Sequence, residues 1–107
     1  MTVVRNAVCL CADARMLIPA FFVADSVRKT SACRGSSFDV IVFAPSEDLT
    51  ETHRQWAAGR GIELCDDLDV SPLLDIKILK RRFSTATLMR LLVPDHLAGR
   101  YQKILQL

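Results

Sequence analysis

The segment Asn6–Ala12, read as NAVCLCA, decides the fold. After Asn6 it is apolar throughout, and it carries no charge. Continuous rather than alternating hydrophobicity suits a strand covered on both faces, as in a parallel sheet. Phe38–Ala44 (FDVIVFA) is likewise continuously apolar apart from Asp39, and Ile62–Cys65 (IELC) and Lys103–Leu107 (KILQL) are shorter candidates.

Helical patterns fill the intervals. From Leu17 to Thr30 the apolar residues Leu17, Phe21, Ala24 and Val27 recur at helical spacing, with Asp25, Arg28 and Lys29 outside the stripe. Pro19 is tolerated only in a first turn, which sets the start near Leu17. Ser31–Ser37 reads as a loop. A second helix is expected from Ser46, as its cap, to Ala58, with Glu47 and Asp48 in its first turn and Gly59 and Gly61 as its stop. A third is expected from Thr85 to Val93, capped by Ser84 and stopped by Pro94, with a turn at Asp95–Ala98. Asp66–Phe83 is a long connector, of the kind that is usually functional or mobile. Strand and helix alternate, which predicts an α/β fold: a Rossmann-like parallel sheet covered by helices. The first strand should be central, with the helices after strands one and two packed on it.

Composition narrows the function. With 107 residues and 50% hydrophobic content, the chain suits one small domain. A net charge of +2 is too mild for a nucleic-acid partner. No apolar run approaches the length of a transmembrane segment, and the start lacks the features of a signal peptide. Cys9, Cys11, Cys33 and Cys65 lack metal-site spacing, so they are expected to be small hydrophobes in a reducing, cytoplasmic compartment.

Ligands of open parallel sheets bind beyond the carboxyl ends of the strands. Ala12–Arg15, Ala44–Ser46 and Cys65–Asp67 lie there. Asp13 is suited to accept hydrogen bonds from a base or ribose, or to cap the helix that follows. Arg15 is suited to a phosphate or to pairing with Asp13. Glycine-rich phosphate cradles are absent. Arg90, set among Leu88, Met89, Leu91 and Leu92, needs a partner or a route to solvent, and its fork suits a phosphate or carboxylate. Lys80-Arg81-Arg82 reads as a solvated turn. His53 and His96 stand alone in polar contexts, and no nucleophile with a histidine and an acid is apparent.

Three segments carry a resemblance. Val8–Met16 (VCLCADARM) resembles the first strand and A-A-D-x-N-Y motif of the family 8 retaining glycosyltransferases. Ser84–Pro94 (STATLMRLLVP) resembles that family's S-x-A-T-Y-x-R-L-x-x-P helix. Tyr101–Leu107 (YQKILQL) resembles its Y-D-K-V-L-Y-L segment, which there runs into D-x-D. The order and spacing match over nearly the whole chain. The resemblance implies a GT-A fold and transfer of a hexose from a nucleotide sugar, usually a UDP-sugar, to a glycan or lipopolysaccharide-type acceptor. A divalent metal, Mn2+ or Mg2+, would be held by ligands outside this chain. Residues 1–107 would then be the donor-binding part of a longer domain, inactive alone and prone to self-association through its last strand. By the same resemblance, Asp13 matches the aspartate that contacts uracil. Cys11 and Ala12 match small residues whose backbone lies against the nucleoside, and Arg90 matches an arginine that reaches the donor. Arg15 stands where the family has asparagine, and Met16 and Leu88 where it has tyrosines, which points to a divergent subfamily. The competing readings are a non-catalytic Rossmann-like nucleotide-binding or interaction module and, more distantly, a receiver-like domain.

Overall fold

The computed structural model describes residues 6–34, 38–68, 70–74 and 85–107. The expectations for the Cys33 side chain, for Lys80, Arg81 and Arg82, and for Ser84 as a cap lie outside the described residues. The elements are β1 (Asn6–Cys11), α1 (Leu17–Arg34), β2 (Asp39–Phe43), α2 (Glu51–Ala58), β3 (Ile62–Cys65), α3 (Ser71–Leu74), α4 (Thr85–His96) and β4 (Lys103–Gln106). The four strands form one sheet in the order β3-β2-β1-β4, and every pair is parallel. β1 is interior, as its continuous hydrophobicity predicts. The fold is α/β and Rossmann-like.

Alternation within β1 and β2 divides the core between two layers. Leu10, Ala12, Val40, Val42 and Ala44 face α1 and meet Leu17, Ala20, Phe21 and Ala24. Ala7, Cys9, Ile41 and Phe43 face the other way and meet Met89, Val93 and Leu97, a stripe at four-residue spacing along α4 and just past its end. Cys9 and Cys11 share this second face. Burial lifts the Cys9 thiol to about 12 and the Cys11 thiol to about 11, as befits side chains packed as hydrophobes.

Several local expectations are corrected. Helix α1 continues through residues 31–34, where a loop is expected. Ser46 begins only a 3-10 turn, Ser46–Asp48, and caps no helix. Thr50 caps α2 instead. Its Oγ1 accepts from the His53 N–H at 3.2 Å, and its own N–H donates to His53 Nδ1 at 3.1 Å. Helix α2 packs on β3 rather than on β1. The reason is the short return through Gly61, whose φ of 69° suits glycine and drops the chain straight from α2 into the adjacent strand. The connector after β3 contains the short helix α3.

Pro94 does not stop α4, which runs on to His96. A proline at this position leaves the Arg90 carbonyl without its helical donor. Gln106 Nε2 from β4 donates to that carbonyl at 3.1 Å, and Leu97 N–H resumes the helical pattern by donating to Val93 O at 3.0 Å. The proline thus creates an acceptor that β4 uses to dock on α4. β4 forms one edge of the sheet, with Leu105 and Leu107 exposed.

Candidate functional site

The carboxyl ends of β1 and β4 gather the residues singled out from the sequence. Ala12, fully buried, extends β1 by one bond, its N–H donating to Phe43 O at 2.9 Å. The chain then turns at Asp13. Its Oδ1 accepts from the Arg15 and Met16 N–H groups, both at 3.1 Å. This Asx-type turn satisfies amides that precede α1. Of the two roles open to Asp13, the local one is therefore realised directly. Arg15 is exposed and contributes its backbone; among the described residues no ion pair joins its side chain to Asp13.

Arg90 is exposed on α4, yet it is tied to the sheet. Its Nη1 donates to the Leu107 main-chain oxygen at a long 3.4 Å, and its carbonyl holds Gln106. Its charge also reaches Cys11, where it opposes the upward push of burial on the thiol. A cationic fork thus stands at the end of β4 within electrostatic range of Cys11, and the backbone turn at Asp13 begins two residues beyond Cys11. Gln106 Oε1 is buried here without a hydrogen-bond partner among the described residues.

A second group lies at the end of β3. Cys65, the last residue of that strand, places Sγ 2.8 Å from Asp67 Oδ1 and 3.6 Å from His96 Nε2. Asp67 Oδ1 is 3.6 Å from the same nitrogen. Burial, followed by the hydrogen bond to Asp67, pushes the Cys65 thiol up to about 12. That bond in turn holds the Asp67 carboxyl below the usual carboxylate range. The His96 ring stands edge-on to Phe43, centroids 5.9 Å apart. Asp66 turns away and pairs with Arg54 at 2.7 Å. From the sequence, Cys65 read as a small hydrophobe and His96 as a lone histidine. The missed signal was the rule that strand ends carry ligands, applied together with the end of α4.

A third feature is an apolar groove of about 330 Å3 between α1 and α2, lined by Ile18, Phe21, Phe22, Thr52, His53 and Trp56. Phe21 and Trp56 are stacked there, centroids 5.1 Å apart.

The hard divalent cation implied by the sequence resemblance prefers carboxylate and phosphate oxygens. Among the described residues, the Arg90 end offers no convergent carboxylates, and the β3 group includes a thiol and an imidazole. Neither place fits that ion. No family model, curated protein or solved structure matches this chain.

Proposed function

We propose that this chain is the donor-nucleotide-binding part of a hexosyltransferase that uses a nucleotide sugar, a UDP-sugar in the first instance. The observation that carries the reading is the position of Arg90. Its guanidinium meets the Leu107 main-chain oxygen at the carboxyl edge of the sheet, within electrostatic range of Cys11, and Asp13 follows the end of β1. The segments that resemble family 8 glycosyltransferases are the ones that meet at this edge.

In this reading each residue binds or orients. Arg90 offers a planar, permanently charged fork to the donor diphosphate. The backbone at Cys11 and Ala12 forms a wall for the nucleoside, and Asp13 accepts a hydrogen bond from the base while holding its own turn. Fixing the donor in one pose lowers the barrier by prepaid orientation. In such enzymes a divalent metal offsets charge on the leaving diphosphate; this chain's residues orient the donor without it. The acceptor would be a glycan or a lipid-linked sugar.

Calorimetry with UDP tests the reading. The chain should bind UDP in a single site without turning over a UDP-sugar. Arg90→Ala should weaken binding about tenfold or more, the equivalent of about 1.5–3 kcal/mol for a charge-assisted bond. UDP affinity that is absent, or unchanged in Arg90→Ala, overturns it. A non-catalytic α/β nucleotide-binding or interaction module is the reading that the self-contained Asp13 turn favours; as an interaction module it predicts no UDP affinity, and as a nucleotide-binding module it predicts affinity that does not depend on Arg90.

A further inference from the structure

We propose that Cys65, Asp67 and His96 form a binding site for a borderline-soft divalent cation of the zinc class, with the fourth coordination position open to solvent. The site is independent of the donor-binding reading and lies at the other end of the sheet's carboxyl edge.

The argument is geometric. One ligand atom from each residue lies within 4.8 Å of the other two. In a tetrahedral zinc site, with roughly 2.3 Å to sulfur and roughly 2.0 Å to nitrogen and oxygen, the sulfur and nitrogen stand about 3.5 Å apart and the nitrogen and oxygen about 3.3 Å apart. Here Sγ–Nε2 is 3.6 Å and Nε2–Oδ1 is 3.6 Å. Only Sγ–Oδ1 differs, at 2.8 Å, because the thiol proton now bridges those atoms. Metal binding removes that proton: the cation takes the thiolate and one H+ leaves to solvent. The carboxylate then has to swing out by roughly 0.7 Å to reach ligand spacing. Asp67 is exposed and free to do so, its side chain retaining 74% of its accessible surface.

The alternative use of a cysteine, a histidine and an aspartate is a nucleophilic relay. That arrangement requires the thiol and the carboxylate on opposite ring nitrogens, so that the acid orients the base. Here both meet Nε2. Three donors converging on one point is the arrangement of a metal centre. The ligands are also set on fixed elements, as a preorganised site requires. Cys65 is held by pairing with Phe43 in β2, and His96 ends a helix anchored by Met89 and Val93. The side chain of Phe43 supports the imidazole edge-on. Thiolate and imidazole ligands select zinc-class ions over Mg2+.

Cobalt(II) is the probe, added to the reduced 107-residue chain. One equivalent should produce a near-ultraviolet thiolate-to-cobalt charge-transfer band, zinc should displace it, and excess Mg2+ should not. Cys65→Ser should abolish the band. His96→Ala and Asp67→Ala should each weaken Co2+ and Zn2+ binding at least tenfold, with far-ultraviolet circular dichroism confirming that these variants remain folded. Asp66→Asn should leave metal affinity unchanged. Absence of the band, its survival in Cys65→Ser, unchanged affinity in folded His96→Ala, or displacement by Mg2+ would each overturn the proposal.

Discussion

The two ends of the sheet's carboxyl edge are assembled in different ways. At the β1–β4 end, Cys11, Ala12 and Asp13 follow one another along the chain, and Arg90 is brought in by a short path through Gln106 and Leu107. At the β3 end, Cys65 and His96 are 31 positions apart and meet only because α4 lies across the Phe43 face of the sheet. The Asp13 turn of the first arrangement rests on local sequence, whereas Arg90, like His96, is delivered by α4 through its packing of Met89 and Val93 on the sheet. Only the turn is readable from neighbours in sequence; the rest of both ends depends on the layer above.

Phe43 links the two ends, and changing it should give the largest effect. Its carbonyl accepts from Ala12, and its fully buried ring supports His96. Phe43→Ala should cost about 3–5 kcal/mol in denaturant unfolding, a large share of a small domain's stability. UDP and cobalt binding should both fail. Phe43→Leu should cost less than about 1.5 kcal/mol and separate the two ends. It should weaken cobalt binding by removing the ring beside His96, while UDP affinity stays near that of the parent. Equal loss at both ends would show that they are one unit.

A smaller effect is expected at the opposite edge of the sheet. Tyr101 Oη donates to Asp39 Oδ2 at 2.6 Å, joining the approach to β4 with the start of β2. Tyr101→Phe should lower stability by roughly 1.5 kcal/mol, through loss of a bond to a carboxylate, and leave cobalt affinity unchanged. Burial, then the bond to Asp39, raises the Tyr101 hydroxyl to about 12. Cys9, Cys11 and Cys65 are raised from 9.0 as well. Groups whose folded values are raised stabilise the fold below their unfolded values and lose that contribution as pH climbs through the folded ones. Denaturant melts should therefore show stability falling from about pH 9 towards pH 12, with a shallower decline in Tyr101→Phe.

The smallest effect belongs to the Asp13 turn. Asp13→Ala should cost about 1 kcal/mol in thermal unfolding, because the Arg15 amide loses its acceptor while the Met16 amide keeps only the Asp13 main-chain carbonyl. Asp13→Asn keeps an acceptor oxygen and should cost less than about 0.5 kcal/mol. Neither should alter cobalt affinity. A change there would mean that the two ends communicate through β1 and β2.

The parallel sheet was legible because its strands are covered on both faces. NAVCLCA and DVIVF carry no polar alternation, and only a doubly covered strand tolerates that. Helix ends were less legible. Ser46 and Thr50 are both good caps, and the choice between them depends on where Leu49 is buried. Pro94 read as a stop because the donor for the Arg90 carbonyl lies in a strand 12 positions further on, Gln106. The residues of the β1–β4 end are named from the chain, and of the two roles the sequence leaves open for Asp13 the fold displays the local one.

The sequence by itself determined the all-parallel α/β architecture, the central place of β1 and the stripe of α1, because periodicity and burial are properties of short segments. Tertiary structure alone decided that α2 covers β3, that Gln106 completes a proline-interrupted helix, and that a thiol, a carboxylate and an imidazole converge. Those outcomes depend on distances between elements, set by how side chains of both layers fill the space around Phe43 and Ile41. No spacing along the chain encodes them.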